Sequence, residues 1–570
     1  MNRQRRQWLE QSAAQVALIG SAAAAGVAGL LGSGCTSCRA GWGLGAETAG
    51  ATGAAHTGLP SGSQALPQAQ LSSAELPPLA PREWRAAWVA SVAHIDWPKQ
   101  AGLSESTLRT QILDIAQRVR GMGLNALILQ VRPAADALYP SRLEPPSEYL
   151  YAQGQPGAAF DALQLWVQAC HAQGLELHAW FNPYRARHPS ARQALHEGHV
   201  ARRHPGWVHR YGDLMWLDPG QPEAQEHSLK VIADVVQRYD LDGVHVDDYF
   251  YPYPIKGADG RDLPFPDEDS FRRHRPAGMG SSEAERAQWR RSNVDHFVEQ
   301  MYRRVHTLKP GVQVSISPFG IGRPDRRPAG IVGFSQYDQL YADVERWCER
   351  GWLDALVPQL YWPRSRPAQS FEKLLDYWLA HNPHGRHVWA GLYTSSVANG
   401  TPTAWSLDEI LWQIDRQRER PASTGHAHFS LQALLQDRGG LANELPRSRY
   451  AQAALTPAMP WLAQGPAPTA PVAHRLPDGR ILLSSGSGAP ARRFAVWRRT
   501  RSSALAGWSF EVLKASGPLQ GTAPTAAPIP GPSSTAALPR VPGAADEVVV
   551  VQALDAAGRE GPRQAFVVGT

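Results

Sequence analysis

Cysteine is scarce in this chain: four residues in 570, namely Cys35, Cys38, Cys170 and Cys348. Their spacing offers no metal-ligand pattern. Cys170 and Cys348 lie in helical stretches among apolar neighbours, where a free thiol reads as a small buried hydrophobe. Dense Lys/Arg tracts are also missing. The net charge of +6 is interleaved with acids along the chain, which describes a solvated surface open to an anionic partner and gives no nucleic-acid footprint. No glycine-rich turn follows the first strand-like segment, so the dinucleotide signature of an open doubly wound sheet is absent. No metal and no cofactor are expected.

Aromatic residues, by contrast, are plentiful: 20 tryptophans and 16 tyrosines. Most of these fill cores, although sugar sites also use aromatic faces. The N-terminus carries a targeting pattern. Arg5 and Arg6 precede Gln7-Trp8-Leu9, as in a twin-arginine export signal. The apolar stretch from Val16 to Leu31 is short for a membrane span and fits a signal-peptide core. Small residues then lead to Cys35, the expected lipidation site. This predicts a signal peptide over residues 1–35 and an exported lipoprotein of the cell envelope, periplasmic and held to the membrane by its lipid. Residues 36–81 are rich in Gly, Ala, Ser and Pro and read as a flexible tether.

From Trp84 onward, short apolar strands alternate with helical periods. Eight strand candidates fall at 84–92, 125–133, 175–185, 241–250, 312–320, 353–362, 387–395 and 426–434. Eight such units predict an α/β fold, a (β/α)8 TIM barrel over residues 82–462; an open doubly wound sheet is the runner-up. Residues 466–570 lose the helical period and show short strand-like pieces. They are expected to form an accessory β-sandwich of fibronectin type III-like kind.

In a barrel of this type the site lies at the C-terminal ends of the strands. Along DGVHVDDYFYPYP (242–254), alternation sends Gly243, His245 and Asp247 inward and leaves Asp248 at the rim, followed by Tyr249. The same reasoning places Arg132, Asn182, Tyr184, Arg185, Gln359, Tyr361 and Trp362 at strand ends. His428 is assigned to the inward track of the last strand. Trp, Tyr, Asn, Gln, Arg and carboxylates together suit a sugar. Two adjacent carboxylates repel, so one holds a proton for general-acid work. Strands five to eight offer no carboxylate at their tips, which excludes the retaining layout with glutamates on strands four and seven. Asp96 and Asp136 are the candidates for a second catalytic group. Other readings stay open: the aspartate pair as a loop cap, Arg132 as its neutralising partner, His245 as a hydrogen-bonded core residue, and Trp180 and Trp362 as packing residues.

The ordered motifs WRAAWVASVAHIDWP, LNALILQVRPAADALYPS, HAWFNPYR, WLDPGQPEAQEH, DGVHVDDYFYPYP, ISPFGI, YDQLYADVERWCERGWLD and PQLYWP resemble the glycosyl-hydrolase-like family 10 of bacterial envelope proteins, over about residues 82–440. The resemblance implies a TIM barrel, export, and glycosidase activity on peptidoglycan glycan strands stripped of their stem peptides. The family's DDYFYP motif maps onto Asp247 to Pro252. The expected function is therefore a glycoside hydrolase with Asp248 as general acid and Asp247 stabilising charge or orienting an N-acetyl group. Its substrate-binding residues are Arg132, Asp136, Asn182, Tyr184, Arg185, His245, Tyr249, Gln359, Tyr361 and Trp362. A non-catalytic glycan-binding protein and a hydrolase of another exported polysaccharide are the alternatives. Glycan strands and the membrane are the expected partners; nucleic acid is not.

Overall fold

The computed structural model describes residues 62–152, 160–485, 490–500, 507–515, 535–538 and 547–568. The chain divides into two units, 1–62 and 63–570, and the second carries the barrel. The twin-arginine pattern, the apolar stretch and Cys35 lie outside the described residues.

Eight strands form a closed parallel ring in chain order. They are β1 (Trp84–Val89), β2 (Ala126–Arg132), β3 (Glu176–Phe181), β4 (Gly243–Val246), β5 (Gln313–Ile316), β6 (Ala355–Leu356), β7 (His387–Leu392) and β8 (Ser423–His428). β8 closes on β1, with Gly425 beside Trp84 and His428 beside Ala87. The barrel expectation holds, but several strands are shorter than their apolar runs. β4 stops at Val246, before the aspartate pair. β6 keeps only two residues.

Helices follow where the apolar period is 3.6. α1 (Glu105–Gly121) buries Leu108, Ile112, Ile115, Ala116 and Val119 on one face. It starts behind Ser104, whose hydroxyl accepts the Thr107 N–H. α2 (Ala162–Ala172), α3 (Pro222–Arg238) and α4 (Glu283–Leu308) continue the ring. α4 opens on a full capping box between Ser282 and Glu285. The second side of each strand faces these helices. Val244 and Val246, for example, sit in the large cluster between strands and helices. Cys170 on α2 and Cys348 are both buried and free, and burial pushes both thiols up.

The barrel interior is filled by Trp84, Trp88, Trp180 and Trp389 together with small residues such as Ala86, Ala126 and Ala427. Trp84 and Trp389 stack with ring centroids 3.8 Å apart. Such bulk needs missing side chains opposite. A Cβ on Gly425 would stand 2.4 Å from the Trp84 carbonyl oxygen, and one on Gly243 would stand 2.3 Å from the His178 ring. This settles the face of β8. Gly425 and Ala427 point inward, while His426 and His428 point out to the Tyr450 hydroxyl at 2.5 and 2.8 Å. His428 is therefore not a mouth residue.

Past the barrel come β9 (Val472–Arg475), β10 (Ile481–Ser484), β11 (Arg493–Thr500), β12 (Ser509–Lys514), β13 (Thr535–Leu538), β14 (Glu547–Leu554) and β15 (Glu560–Val568). They build two antiparallel four-stranded sheets, one in the order β12-β11-β14-β15. The other takes its edge strand, Gln64–Ala65, from ahead of the barrel, followed by β9, β10 and β13. Leu66, Leu483, Phe494, Val551 and Phe566 share one core. Residues 64–81 are therefore folded, not the tether that composition suggests. Ala69 donates its N–H to the Ala565 carbonyl at 2.9 Å, and Arg563 donates to the Pro77 carbonyl at 2.7 Å. Leu66 and Leu71 supply the apolar contacts that the composition of this stretch as a whole conceals.

These sheets meet the N-terminal ends of the barrel strands through a buried ionic knot. Lys514 donates to both carboxylate oxygens of Asp242, at 2.6 and 2.8 Å. Arg493 reaches Glu176 at 2.5 Å. Asp242 also accepts the Leu177 N–H and a His171 ring nitrogen, each at 2.9 Å. Gly174 closes the α2–β3 turn at φ +72°, and a Cβ there would stand 2.8 Å from the Val512 carbonyl. Removing one partner strands a buried charge. Lys514→Ala should destabilise the protein by about 3–5 kcal/mol in denaturant unfolding, and Asp242→Asn/Lys514→Met should recover most of that loss.

Candidate active site

The site assembles where β4 ends. Asp247 continues the inward track of Gly243 and His245. Trp180, on the adjacent β3, donates its indole N–H to Asp247 Oδ2 at 3.1 Å. Among the described residues the other oxygen, Oδ1, has no hydrogen-bond partner of good geometry, although the Tyr249 N–H helps to hold the carboxyl down. Burial pushes the Asp247 carboxyl up to about 7; Arg185 pulls against this and the Asp248 charge adds to it. Asp248 is equally buried but well supplied with donors. The Tyr253 hydroxyl donates to its Oδ2, and the Gln359 side chain hydrogen bonds to it as well. Burial nevertheless pushes Asp248 up to about 6. The two carboxyls therefore titrate as a pair across the neutral range, with the donors concentrated on Asp248.

Five of the expected binding residues gather around this pair. Arg185 lies within electrostatic reach of both carboxylates. Its guanidinium sits 4.5 Å over the Tyr249 ring and donates to the Pro133 carbonyl at 3.2 Å. Gln359 also donates to the Ser317 carbonyl at 3.1 Å, so it is held while it touches Asp248. Tyr361 feels the charges of Asp248 and Asp247. Trp362 packs edge-on against Phe319 at 5.6 Å, and Phe319 leads through Phe334 to Tyr253.

Four others are interior residues that present no surface to a ligand, which corrects the expectation. Arg132 is fully buried and grips Glu144 through two guanidinium nitrogens, Nε at 2.8 Å, while Nη1 donates to the Asn182 carbonyl at 2.6 Å. It pairs with Glu144 and not with the aspartate pair. Burial opposes ionisation of Glu144, but Arg132 and His227 prevail and hold it down at about 2. Asn182 uses its Oδ1 to accept the N–H groups of Tyr184 and Arg185, at 3.4 and 2.8 Å, which shapes the turn after β3. Tyr184 is buried against Phe297. His245 is enclosed in the barrel between the Trp88 indole at 3.1 Å and the Ser315 hydroxyl at 2.8 Å. Burial, with His178 nearby, holds it well below the usual histidine range and neutral.

The two candidates for a second carboxylate differ. Asp96 is saturated. It accepts the Ala90 N–H at 2.8 Å and both the Ser430 hydroxyl and the Gln432 N–H at 2.7 Å, tying the loop after β1 to the segment after β8. That is a structural role. Asp136, after β2, accepts the Ala134 N–H at 2.8 Å, and burial pushes it up to about 6. The carboxylates that add to this are Glu144 and Glu148.

Two site residues escape sequence reasoning. Tyr253 belongs to the quoted motif but stands five residues beyond Asp248, farther than strand alternation can be followed. Phe429 is hidden when His428 is placed on the inner face of β8; the small residues Gly425 and Ala427 are the available signal for the true face.

Comparison with known proteins identifies the family. The family described as Glycosyl hydrolase-like 10 matches residues 83–406. Glycosyl hydrolase YngK of Bacillus subtilis (strain 168) is 38% identical over 389 residues, covering 67% of this chain and 74% of that protein. Glycosyl hydrolase DigH of Escherichia coli (strain K12) is 32% identical over 313 residues, 52% of this chain and 69% of its own length. Among solved structures, the PgaB (BpsB) glycoside hydrolase domain from Bordetella bronchiseptica superposes with a TM-score of 0.42 at 10% identity, covering 64% of this chain and 98% of that one. The catalytic domain of a beta-amylase from Paenibacillus polymyxa does so with a TM-score of 0.44 at 11% identity, covering 66% and 100%. With the family matched over residues 83–406 and its likeness to YngK, the chain belongs to the glycosyl hydrolase-like 10 family.

Proposed function

We propose that this protein is a glycoside hydrolase of the bacterial cell envelope, cutting β-1,4 bonds in peptidoglycan glycan strands stripped of their stem peptides. In this reading it is exported, periplasmic and anchored through a lipid on Cys35, and its paired C-terminal sheets serve as a fibronectin type III-like accessory module. One observation carries the catalytic part: two adjacent buried carboxyls, unequally supplied with donors, at the C-terminal end of a barrel strand.

The donor pattern reverses the expected roles. Asp248, receiving Tyr253 and Gln359, is the better ionised partner. Asp247, with one oxygen lacking a donor of good geometry, is the better proton holder. In the proposed reaction Asp247 gives its proton to the glycosidic oxygen as the C–O bond breaks. The Asp248 carboxylate stabilises the positive charge that grows at the anomeric carbon. Water then supplies the hydroxyl that ends on that carbon, and its remaining proton returns to the pair. Trp180 fixes the orientation of Asp247. Arg185 tempers the pair without forming an ion pair with it.

A second reading has its own support. Past β5, β7 and β8 stand Ser317, Tyr393 and Phe429, and beyond β6 stands Gln359, so none of the described residues at these strand ends is a carboxylate. A glycan-binding protein without turnover would look the same there. Digestion of denuded glycan strands separates the two, because binding without product release by the unaltered protein would favour the binding module.

On the hydrolase reading, Asp247→Asn and Asp248→Asn should each lower kcat by about 10²–10⁴-fold on denuded strands. Product release equal to the unaltered protein by either variant would remove that residue from the chemistry. The working form has one proton on the pair. Activity should therefore fall below about pH 6, where both carboxyls are protonated, and above about pH 7, where both are ionised. A flat kcat/KM profile from pH 5 to pH 8 would contradict this. Stability carries the same signature with a defined sign. The folded Asp247 carboxyl lies above its unfolded value of about 3.9, so the folded state binds the extra proton and loses stability as pH rises through about 4–7. Asp247→Asn should melt several degrees above the unaltered protein at pH 8, and the gap should narrow at pH 5.

A further inference from the structure

Three aromatic rings from consecutive segments share one orientation, and one of them, Tyr361, lies within electrostatic reach of the aspartate pair. Tyr361 follows β6, Tyr393 follows β7 and Phe429 follows β8. Ring centroids are 5.1 Å apart for Tyr361 and Tyr393, 5.8 Å for Tyr361 and Phe429, and 6.4 Å for Tyr393 and Phe429. The interplanar angles are only 24°, 30° and 21°. Elsewhere at the mouth both geometries occur, edge-on between Tyr249 and Tyr253 or Phe319 and Trp362 and stacked between Tyr253 and Phe334. Stacked and edge-on pairs both serve packing; what sets these three rings apart is that they come from three successive strand ends, are mutually near parallel and keep part of their surface exposed.

All three are half-buried. Two are braced from one side: Trp88 meets Phe429 edge-on at 6.0 Å, and Trp405 meets Tyr393 edge-on at 5.9 Å. Neither the Tyr361 nor the Tyr393 hydroxyl hydrogen bonds to another described residue. The Tyr361 hydroxyl lies within electrostatic reach of Asp248 and Asp247. Flat apolar faces, free hydroxyls at their edges and proximity to an acid pair match the two-sided chemistry of a hexopyranose, whose axial C–H face is apolar and whose rim is hydroxylated.

We propose that Tyr361, Tyr393 and Phe429 form the stacking platform that holds a hexopyranose residue of the glycan chain next to the bond to be cut. The assignment rests on the glycosidase reading and makes Phe429 and Tyr393 determinants of substrate affinity and of dependence on chain length. The ring face acts, not the hydroxyl, so substitutions divide by flatness. Phe429→Leu keeps apolar bulk and loses the plane. Tyr393→Phe keeps the plane and loses the hydroxyl.

The test uses the full chain carrying Asp248→Asn, titrated with soluble β-1,4-linked N-acetylglucosamine oligomers of increasing length and followed by calorimetry. Phe429→Leu and Tyr393→Leu should weaken binding of the longer oligomers about ten-fold, equivalent to about 1.4 kcal/mol, and flatten the gain of affinity with length. Tyr393→Phe should stay within about two-fold of its parent. In the active background the leucine variants should raise KM and largely keep kcat, with an unchanged melting temperature. Leucine variants that bind like their parent would overturn the platform and leave the hydrolase reading intact. A parent protein that binds none of the oligomers and releases nothing from denuded strands would overturn both.

Discussion

The barrel interior is built on indoles, and an indole N–H removed from water costs free energy unless it meets an acceptor. Four tryptophans fill the space, and each finds one. Trp84 donates to Glu176 at 3.2 Å, Trp389 to the Thr424 hydroxyl at 3.0 Å, Trp88 to His245 at 3.1 Å and Trp180 to Asp247 at 3.1 Å. An aliphatic core of the same volume would need no polar partners. Here the packing choice dictates a column of acceptors that starts at Glu176, at the beginning of β3, and ends at Asp247, just beyond β4. The uppermost acceptor is the carboxyl at the mouth, so the proposed catalytic aspartate is also part of the core.

Charge is distributed along this column by which cations reach it. At the base, burial opposes ionisation of Glu176, but Arg493 from the C-terminal sheets overrides it and holds the carboxyl low. In the middle, burial keeps His245 neutral. At the top no cation binds Asp247. Arg132 is locked onto Glu144, and Arg185, held by the Pro133 carbonyl and the Tyr249 face, lowers Asp247 through its charge without an ion pair. A carboxyl that is buried, unpaired and beside another carboxylate retains its proton near neutrality. The same residue types in the same barrel therefore yield a structural anion at one end and a proton donor at the other.

Features dictated by period alone are legible in the sequence. Alternation places Asp247 on the inward track of β4 and Val244 and Val246 against the helices, as observed. Eight alternating apolar runs correctly imply the ring. Period fails where partner identity decides the outcome. The charge of Arg132 is spent on Glu144, twelve residues away through a loop that no repeat describes. Asn182 reads as a sugar ligand by type, yet it serves the turn that launches Arg185. On β8 the histidines draw attention, but steric pressure from Trp84 reserves the inner face for Gly425 and Ala427. Low local hydrophobicity hides the pairing of residues 64–65 because their partner strands lie some four hundred residues later.

The stretch after β4 shows how two neighbouring aspartates come to serve one site. A continued strand would send Asp248 outward, opposite to Asp247. The strand instead stops at Val246, and the chain turns, with the Phe250 N–H donating to the Asp248 carbonyl at 3.1 Å. In the aromatic run beyond this turn, anchors and display residues are interspersed. Phe250 is fully buried and packs on Trp347 at 5.1 Å. Tyr251 lies beneath the Arg290 guanidinium and against Tyr341 at 4.9 Å. Tyr249 and Tyr253 stay at the mouth, edge to face at 5.7 Å, and Tyr253 delivers its hydroxyl to Asp248. Pro252 and Pro254 restrict the backbone between and after these contacts. One of the two donors that distinguish Asp248 from Asp247 is thus carried by the same segment that turns Asp248 into the mouth, and the buried rings of Phe250 and Tyr251 anchor that segment.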